Sequence, residues 1–186
     1  MSFRQQLYQI KKKGRLQLGA YFHSFQKDRT LGKFVIFGQG RTGSTLLVDL
    51  LNSHPTIACE QEIFSRRYHL LSGKLRWPYR FLQGMEARHA HQTFGFKVKI
   101  YQLTLHQHLD PMDFLDRLEQ RGYQIIYLRR DNFLEHAISG LSAQQTKRFH
   151  LFKGELNEYP PIELSVADLE EALENRRMYQ EQELSY

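Results

Sequence analysis

Between Lys33 and Ser53 an apolar run turns through a glycine-rich loop into a leucine-patterned helix, and this unit constrains the fold more than any other stretch. Phe34-Val35-Ile36-Phe37 is β-branched or aromatic throughout, as a buried strand requires. Gly38 to Gly43 is a turn. From Ser44 to Ser53, Leu46, Leu47, Leu50 and Leu51 fall at helical spacing, and Asn52-Ser53-His54-Pro55 ends the helix. Strand and helix go on alternating. Phe94 to Ile100 reads as a second strand, its apolar residues alternating with Gly95, Lys97 and Lys99. Asp110-Pro111 is an N-cap followed by proline at the first helical position, opening a helix to about Arg121 that stops at Gly122. Tyr123 to Leu128 reads as a third strand, with Ile125-Ile126-Tyr127-Leu128 as buried core, and Asn132 to Gln145 as the helix after it. Ser165 and Asp168 form a capping-box pattern for a last helix over about Val166 to Glu183.

This alternation predicts an α/β fold with a central, mostly parallel sheet flanked by helices. A length of 186 residues suits one domain, taken as residues 33–186 behind a basic N-terminal arm, residues 1–32. The arm has some helical spacing (Leu7, Ile10, Leu16, Leu18, Tyr21), with Lys11 to Lys13 on the polar side. It reads as a helix on the domain edge, interrupted by Gly14 and Gly19, or as a peripheral membrane or partner contact. A hydrophobic fraction of 41%, with aromatics at 13% of the chain, excludes a disordered tail and a collagen-like fibre. The single cysteine, Cys59, excludes an internal disulfide and favours a reducing compartment. The apolar runs are too short to span a membrane, and Met1 to Lys13 lacks the apolar segment of a secretory signal, so a cytoplasmic location is expected.

The net charge of +6 hides three regions. Residues 1–33 carry +7, residues 155–186 carry −7, and the middle carries +6. A basic middle around a glycine-rich loop suggests an anionic ligand. A loop between strand and helix can direct backbone N–H groups from Thr42 to Thr45 at a phosphate, with the helix dipole adding to the attraction. The Walker A pattern would place lysine where Ser44 stands, and the cation is instead Arg41. The third strand runs into Leu128-Arg129-Arg130-Asp131, where arginines precede the acid. That edge suits an anion better than a metal, so a nucleotide bound without Mg²⁺ is expected.

Gly40-Arg41-Thr42-Gly43-Ser44-Thr45-Leu46-Leu47 resembles the 5′-phosphosulfate loop of sulfotransferases that use 3′-phosphoadenosine 5′-phosphosulfate (PAPS). Tyr127-Leu128-Arg129-Arg130-Asp131 with Ala137-Ile138-Ser139 resembles their 3′-phosphate motif. Glu62-Ile63-Phe64 and Gly95-Phe96-Lys97 add to the likeness, which is greatest to bacterial carbohydrate and glycolipid sulfotransferases of the trehalose and nodulation-factor type. The resemblance covers about Phe34 to Ser142 and implies a P-loop-type three-layer sandwich. Family members continue with another strand and a basic segment over the nucleotide. Here an acidic helix follows, so a C-terminally short or compact member is expected.

The resemblance implies roles for particular residues. Gly40, Arg41, Thr42, Gly43, Ser44 and Thr45 would hold the 5′-phosphate, with Arg41 offsetting charge on the bridging oxygen. Arg130 and Ser139 would bind the 3′-phosphate, with Arg129 as the alternative reader. Glu62 would be the general base toward a carbohydrate or glycolipid hydroxyl if burial raises its pKa, and Glu60 is the alternative. Lys97 would touch the transferring sulfonate, or else snorkel from its strand. The donor nucleotide and a sugar acceptor are the expected partners, with no nucleic acid.

His54, His106, His108 and His136 lack ligand spacing, so no metal is expected. Arg76-Trp77-Pro78-Tyr79-Arg80-Phe81 could stack sugars or bases, or be an ordinary amphipathic segment. Three rival functions stand beside the sulfotransferase: a P-loop nucleotide kinase or NTPase, a nucleotide-binding homologue without turnover, and a basic RNA-binding module.

Overall fold

The structure is a computed structural model and describes residues 14–66, 73–147 and 162–185. The Lys11 to Lys13 run, with Leu7 and Ile10, lies outside them. Four strands form one sheet: β1 (Gly32–Phe37), β2 (Ile57–Glu60), β3 (Thr93–Val98) and β4 (Tyr123–Tyr127). All pairs are parallel, in the order β2-β3-β1-β4. Around it lie α1 (residues 14–23), α2 (Ser44–Asn52), α3 (Pro78–Arg88), α4 (Pro111–Gln120), α5 (Phe133–Thr146) and α6 (Val166–Leu184). A π-helical segment, Gln102–Gln107, leads out of β3.

Side chains alternate across β1, as strand geometry dictates. Phe34 and Ile36 face Val48 of α2, with Cys59 beside them. Val35 and Phe37 face the larger core, where Phe64, Phe81, Phe96 and Phe114 are fully buried. Helices therefore cover both faces of the sheet.

Several expectations are corrected by this packing. The second strand ends at Val98, because the chain turns at Lys99 into the π-helical segment. β3 is central, so Gly95 and Lys97 are buried along with its apolar residues. β4 is an edge strand. Only Tyr123 in it is buried, Ile125 and Tyr127 are half-buried, and Ile126 is exposed. In α2, Val48 with Leu47 and Leu51 faces the sheet, whereas Leu46 and Leu50 point to solvent. The chain runs helically through Gly19 in α1, and Ala20 is fully buried. A Cβ on Gly84 would stand 1.6 Å from the Ala20 carbonyl oxygen, so α1 crosses α3 backbone to backbone. The caps read for α4 and α6 hold, Asp110 and Ser165 accepting from the N–H groups of Asp113 and Asp168, while Asn132 proves to be the cap of α5 and accepts from the N–H of Glu135.

Candidate functional site

The chain lays β2 and β3 on one side of β1, then crosses to place β4 on the other. The C-terminal end of β1 is therefore a topological switch point, where open α/β sheets bind ligands. The loop from Gly38 to Gly43 leaves β1 there. Gly38 takes φ 150°, and a Cβ on it would lie 2.2 Å from the Leu128 carbonyl oxygen. Arg41 sits at φ 71°, a left-handed conformation that costs an L-residue about 1–2 kcal/mol. Three bonds fix the loop around it. Arg41 Nε donates to Ser139 Oγ (3.1 Å), Thr42 Oγ1 to the Gln39 carbonyl (3.0 Å), and His136 Nε2 to the Gly40 carbonyl (2.6 Å).

The start of α2 differs from those of α4, α5 and α6. Each of the others has a side-chain cap and an acid in its first turn. The cap of α2 is Gly43 at φ 85°, with no side-chain hydrogen bond and no acid in the first turn. That leaves a positive helix end facing the loop without an internal carboxylate.

Beneath the loop, β3 delivers two lysines. Lys97 is only 4% exposed, so it does not snorkel. Its Nζ donates to Thr45 Oγ1 (3.0 Å) and lies 3.5 Å from Glu62 Oε1. Lys99 Nζ pairs with the same oxygen at 2.7 Å, and a Cβ on Gly40 would stand 3.4 Å from that ammonium. Gln102 Nε2 donates to the other carboxylate oxygen of Glu62 at 2.7 Å. Burial works to raise the Glu62 carboxyl, but the Lys99 and Lys97 charges outweigh it and hold the group below its ordinary value. The condition set for Glu62 as a base, a carboxyl raised by burial, is therefore not met in the free protein. Burial lowers Lys97 in turn, against the pull of Glu62. Glu60 faces elsewhere, toward His89 Nε2 at 3.3 Å.

On the far side of the loop Arg129 is exposed and Arg130 half-buried. Arg129 pairs with Asp131 (2.9 Å) and Arg130 with Glu135 (2.6 Å). Arg130, Arg41 and Arg176 all press on His136, which burial already keeps below its ordinary pKa. Arg129 bears on Tyr127 instead. Arg130 is held at the first turn of α5, the helix whose His136 and Ser139 bond to the loop.

Sequence reasoning missed the contribution of α6. Gln39 Nε2 donates to the Arg176 carbonyl (3.1 Å), and Arg176 Nη1 donates to Gln39 Oε1 (3.3 Å). A Cβ on Gly140 would stand 2.7 Å from Arg176 Nη2, so this guanidinium lies against α5 next to Ser139. Glu183 accepts from Tyr127 OH at 3.2 Å, and burial lifts its pKa to about 7. The acidity of the segment concealed these inward-facing residues. Lys99 and Gln102 were also missed as partners of Glu62, since their placement depends on the turn after β3.

A narrow cleft opens between loop and β3, lined by Gln39, Thr42, Ser44, Lys97 and Lys99 among others. The histidines serve other ends: His54 Nδ1 bonds the Thr56 hydroxyl, and His106 Nδ1 accepts from the Arg66 N–H. Among the described residues no group of three or more His, Cys, Asp or Glu is placed to hold a metal ion. Among them, too, no helix is long and apolar enough to cross a membrane. No protein-family model, curated protein or solved structure matches the chain significantly.

Proposed function

We propose that this protein is a sulfotransferase of P-loop-type architecture that moves a sulfuryl group from PAPS to a hydroxyl of a carbohydrate or glycolipid. The observation that carries the reading is the bond from Arg41 Nε to Ser139 Oγ, 3.1 Å long. It joins the loop resembling a 5′-phosphosulfate site to the helix resembling a 3′-phosphate site, across 98 residues of sequence. A nucleotide with phosphates at both positions needs that juxtaposition.

The donor set suits such a ligand. The uncapped start of α2, Arg41, Thr42, Ser44 and Thr45 offer N–H, guanidinium and hydroxyl donors to the 5′-phosphosulfate. Arg130, Ser139 and Arg176 supply the donors for the 3′-phosphate. In the reaction the sulfur–oxygen bond to the 5′-phosphate breaks and one to the acceptor oxygen forms. The hydroxyl proton passes to Glu62. Lys97 and Lys99 offset the charge developing on the sulfonate and bridging oxygens. The negative charge of the anion beside the same lysines offsets their pull on Glu62, so its affinity for a proton rises when a proton must be taken.

The depressed pKa of Glu62 also favours a second reading, a homologue that binds the nucleotide without turning it over. Incubating the protein with sulfur-labelled PAPS and a panel of sugars and glycolipids separates the two. Label in an acceptor, absent with Arg41→Ala, supports the enzyme. Nucleotide binding without transfer leaves the second reading. Mg²⁺-dependent ATP hydrolysis in place of either overturns both.

A further inference from the structure

We infer that the face formed by α1 and the start of α3 docks on an anionic membrane surface. One side of α1 is spent on the core: Ala20 is buried, and Leu16 and Tyr21 pack beside it. The opposite side carries Leu18, Phe22 and Phe25, spaced by four and three residues as one helical stripe that runs just past the helix end. They are 69%, 79% and 79% exposed, and Trp77 before α3 is 51% exposed. The start of α3 lies beside this stripe: Arg80 lies over the Phe25 ring at 5.6 Å, and Trp77 meets Tyr21 of α1 edge to face at 5.7 Å. Four large apolar groups exposed on one helix and on the segment beside it are unusual for a surface that meets only solvent.

The charge around the patch selects its occupant. Residues 14–27 and 73–83 hold Arg15, Lys27, Lys74, Arg76 and Arg80, and no Asp or Glu at all. Asp28 and Asp113, at the borders of the patch, are held by Lys33 and Arg117. Cations with exposed aromatic and aliphatic groups match a bilayer interface with anionic headgroups, where apolar side chains enter the acyl boundary and arginines stay at the phosphates. Single-stranded RNA fits less well. Arg76 lies over the Trp77 ring at 4.9 Å and Arg80 over that of Phe25, so guanidinium planes already occupy ring faces that bases would need. Leu18 has no ring to offer.

The test is co-sedimentation of the full chain with vesicles of phosphatidylcholine, with and without phosphatidylglycerol. Binding is expected only with the anionic lipid and should weaken as salt rises. Arg76→Ala and Arg80→Ala should each lower partition about fivefold. Phe22→Ser with Phe25→Ser should lower it more, while circular dichroism stays unchanged because both side chains are exposed. Equal binding to both vesicle types, or none, overturns the inference. So does a concentration-dependent dimer abolished by the same serines without vesicle binding, or patch-dependent binding of RNA alone. Titration of these variants with 3′-phosphoadenosine 5′-phosphate separates failure here from failure of the nucleotide reading, since the patch variants should bind it like the wild type.

Discussion

The two flanks of the loop hold their cations in different ways. On the β3 side, Lys97 and Lys99 converge on one carboxylate, Glu62, whose second oxygen is tied by Gln102. Little water reaches them, so their mutual geometry is fixed before any ligand arrives. On the β4 side, Arg129 and Arg130 rest on Asp131 and Glu135, which are 80% and 59% exposed. Exposed pairs of that kind contribute about 0–1 kcal/mol, so an incoming dianion can take the arginine over. The contrast separates a rigid reacting end from an exchangeable anchoring end. Positioning pays most at the first, where misplacement slows chemistry, whereas at the second an arginine need only be displaced from a weak partner.

The largest effect should come from Glu62→Gln. The amide cannot accept the acceptor's proton, and transfer should fall by about 10²–10⁴. Nucleotide affinity should hold or rise, because two lysines lose an anionic competitor. A parallel loss of binding in calorimetry would show that Glu62 only shapes the site. Next comes Lys97→Ala, which strips a buried pair of one partner and leaves Thr45 Oγ1 without its donor. Glu62 keeps Lys99 and Gln102, so the loss should be about 1–3 kcal/mol, measurable by urea denaturation. A loss below about 1 kcal/mol, typical of solvated pairs, would erase the contrast between the flanks.

Smaller effects belong to the β4 flank. Arg130→Ala should weaken nucleotide binding roughly tenfold or more while changing stability by less than about 1 kcal/mol. Glu135→Ala frees the arginine and should tighten binding slightly. Reversed signs would mean that Arg130 is a structural residue and Arg129 the reader. The smallest effect concerns α6. Glu183 titrates near 7 in the fold against 4.5 when exposed. Its contribution is therefore present below about 4.5 and is lost as pH rises through about 7. His136, whose pKa is lowered, acts in the opposite sense. Comparing melting curves of wild type and Glu183→Gln isolates the carboxyl from Gln39, Tyr127 and Arg176, which face it. The wild type should lose ground to the variant between pH 5 and 8, at about 2–4 °C per kcal/mol. Parallel curves would remove Glu183 as a titrating contact.

Local signals were legible where they act locally. The β1 run, the loop and two helix caps follow from adjacent residues. β2 was missed because Ile57 to Glu60 is four residues long and shows no periodicity of its own. α3 went unassigned amid a basic and aromatic stretch. Its buried Glu86 is satisfied only through Arg121 and Tyr123, more than thirty residues on. Within the site, the residue types of the loop and of the strand ends could be read directly. The partners could not. Lys99 and Gln102 reach Glu62 through a π-helical turn, and Arg176 reaches Gln39 from a helix whose sequence is mostly acidic. The reversal of strand order around β1, which brings Arg41 to Ser139, is a property of the whole sheet.

The most direct measurement is calorimetric titration of the full chain with 3′-phosphoadenosine 5′-phosphate, with and without Mg²⁺, for wild type and Arg41→Ala. The account expects one site, affinity independent of Mg²⁺, and roughly a tenfold to hundredfold weakening in the variant, as suits the loss of a hydrogen bond to a charged group. No binding by the wild type, or binding undiminished by Arg41→Ala, would contradict it.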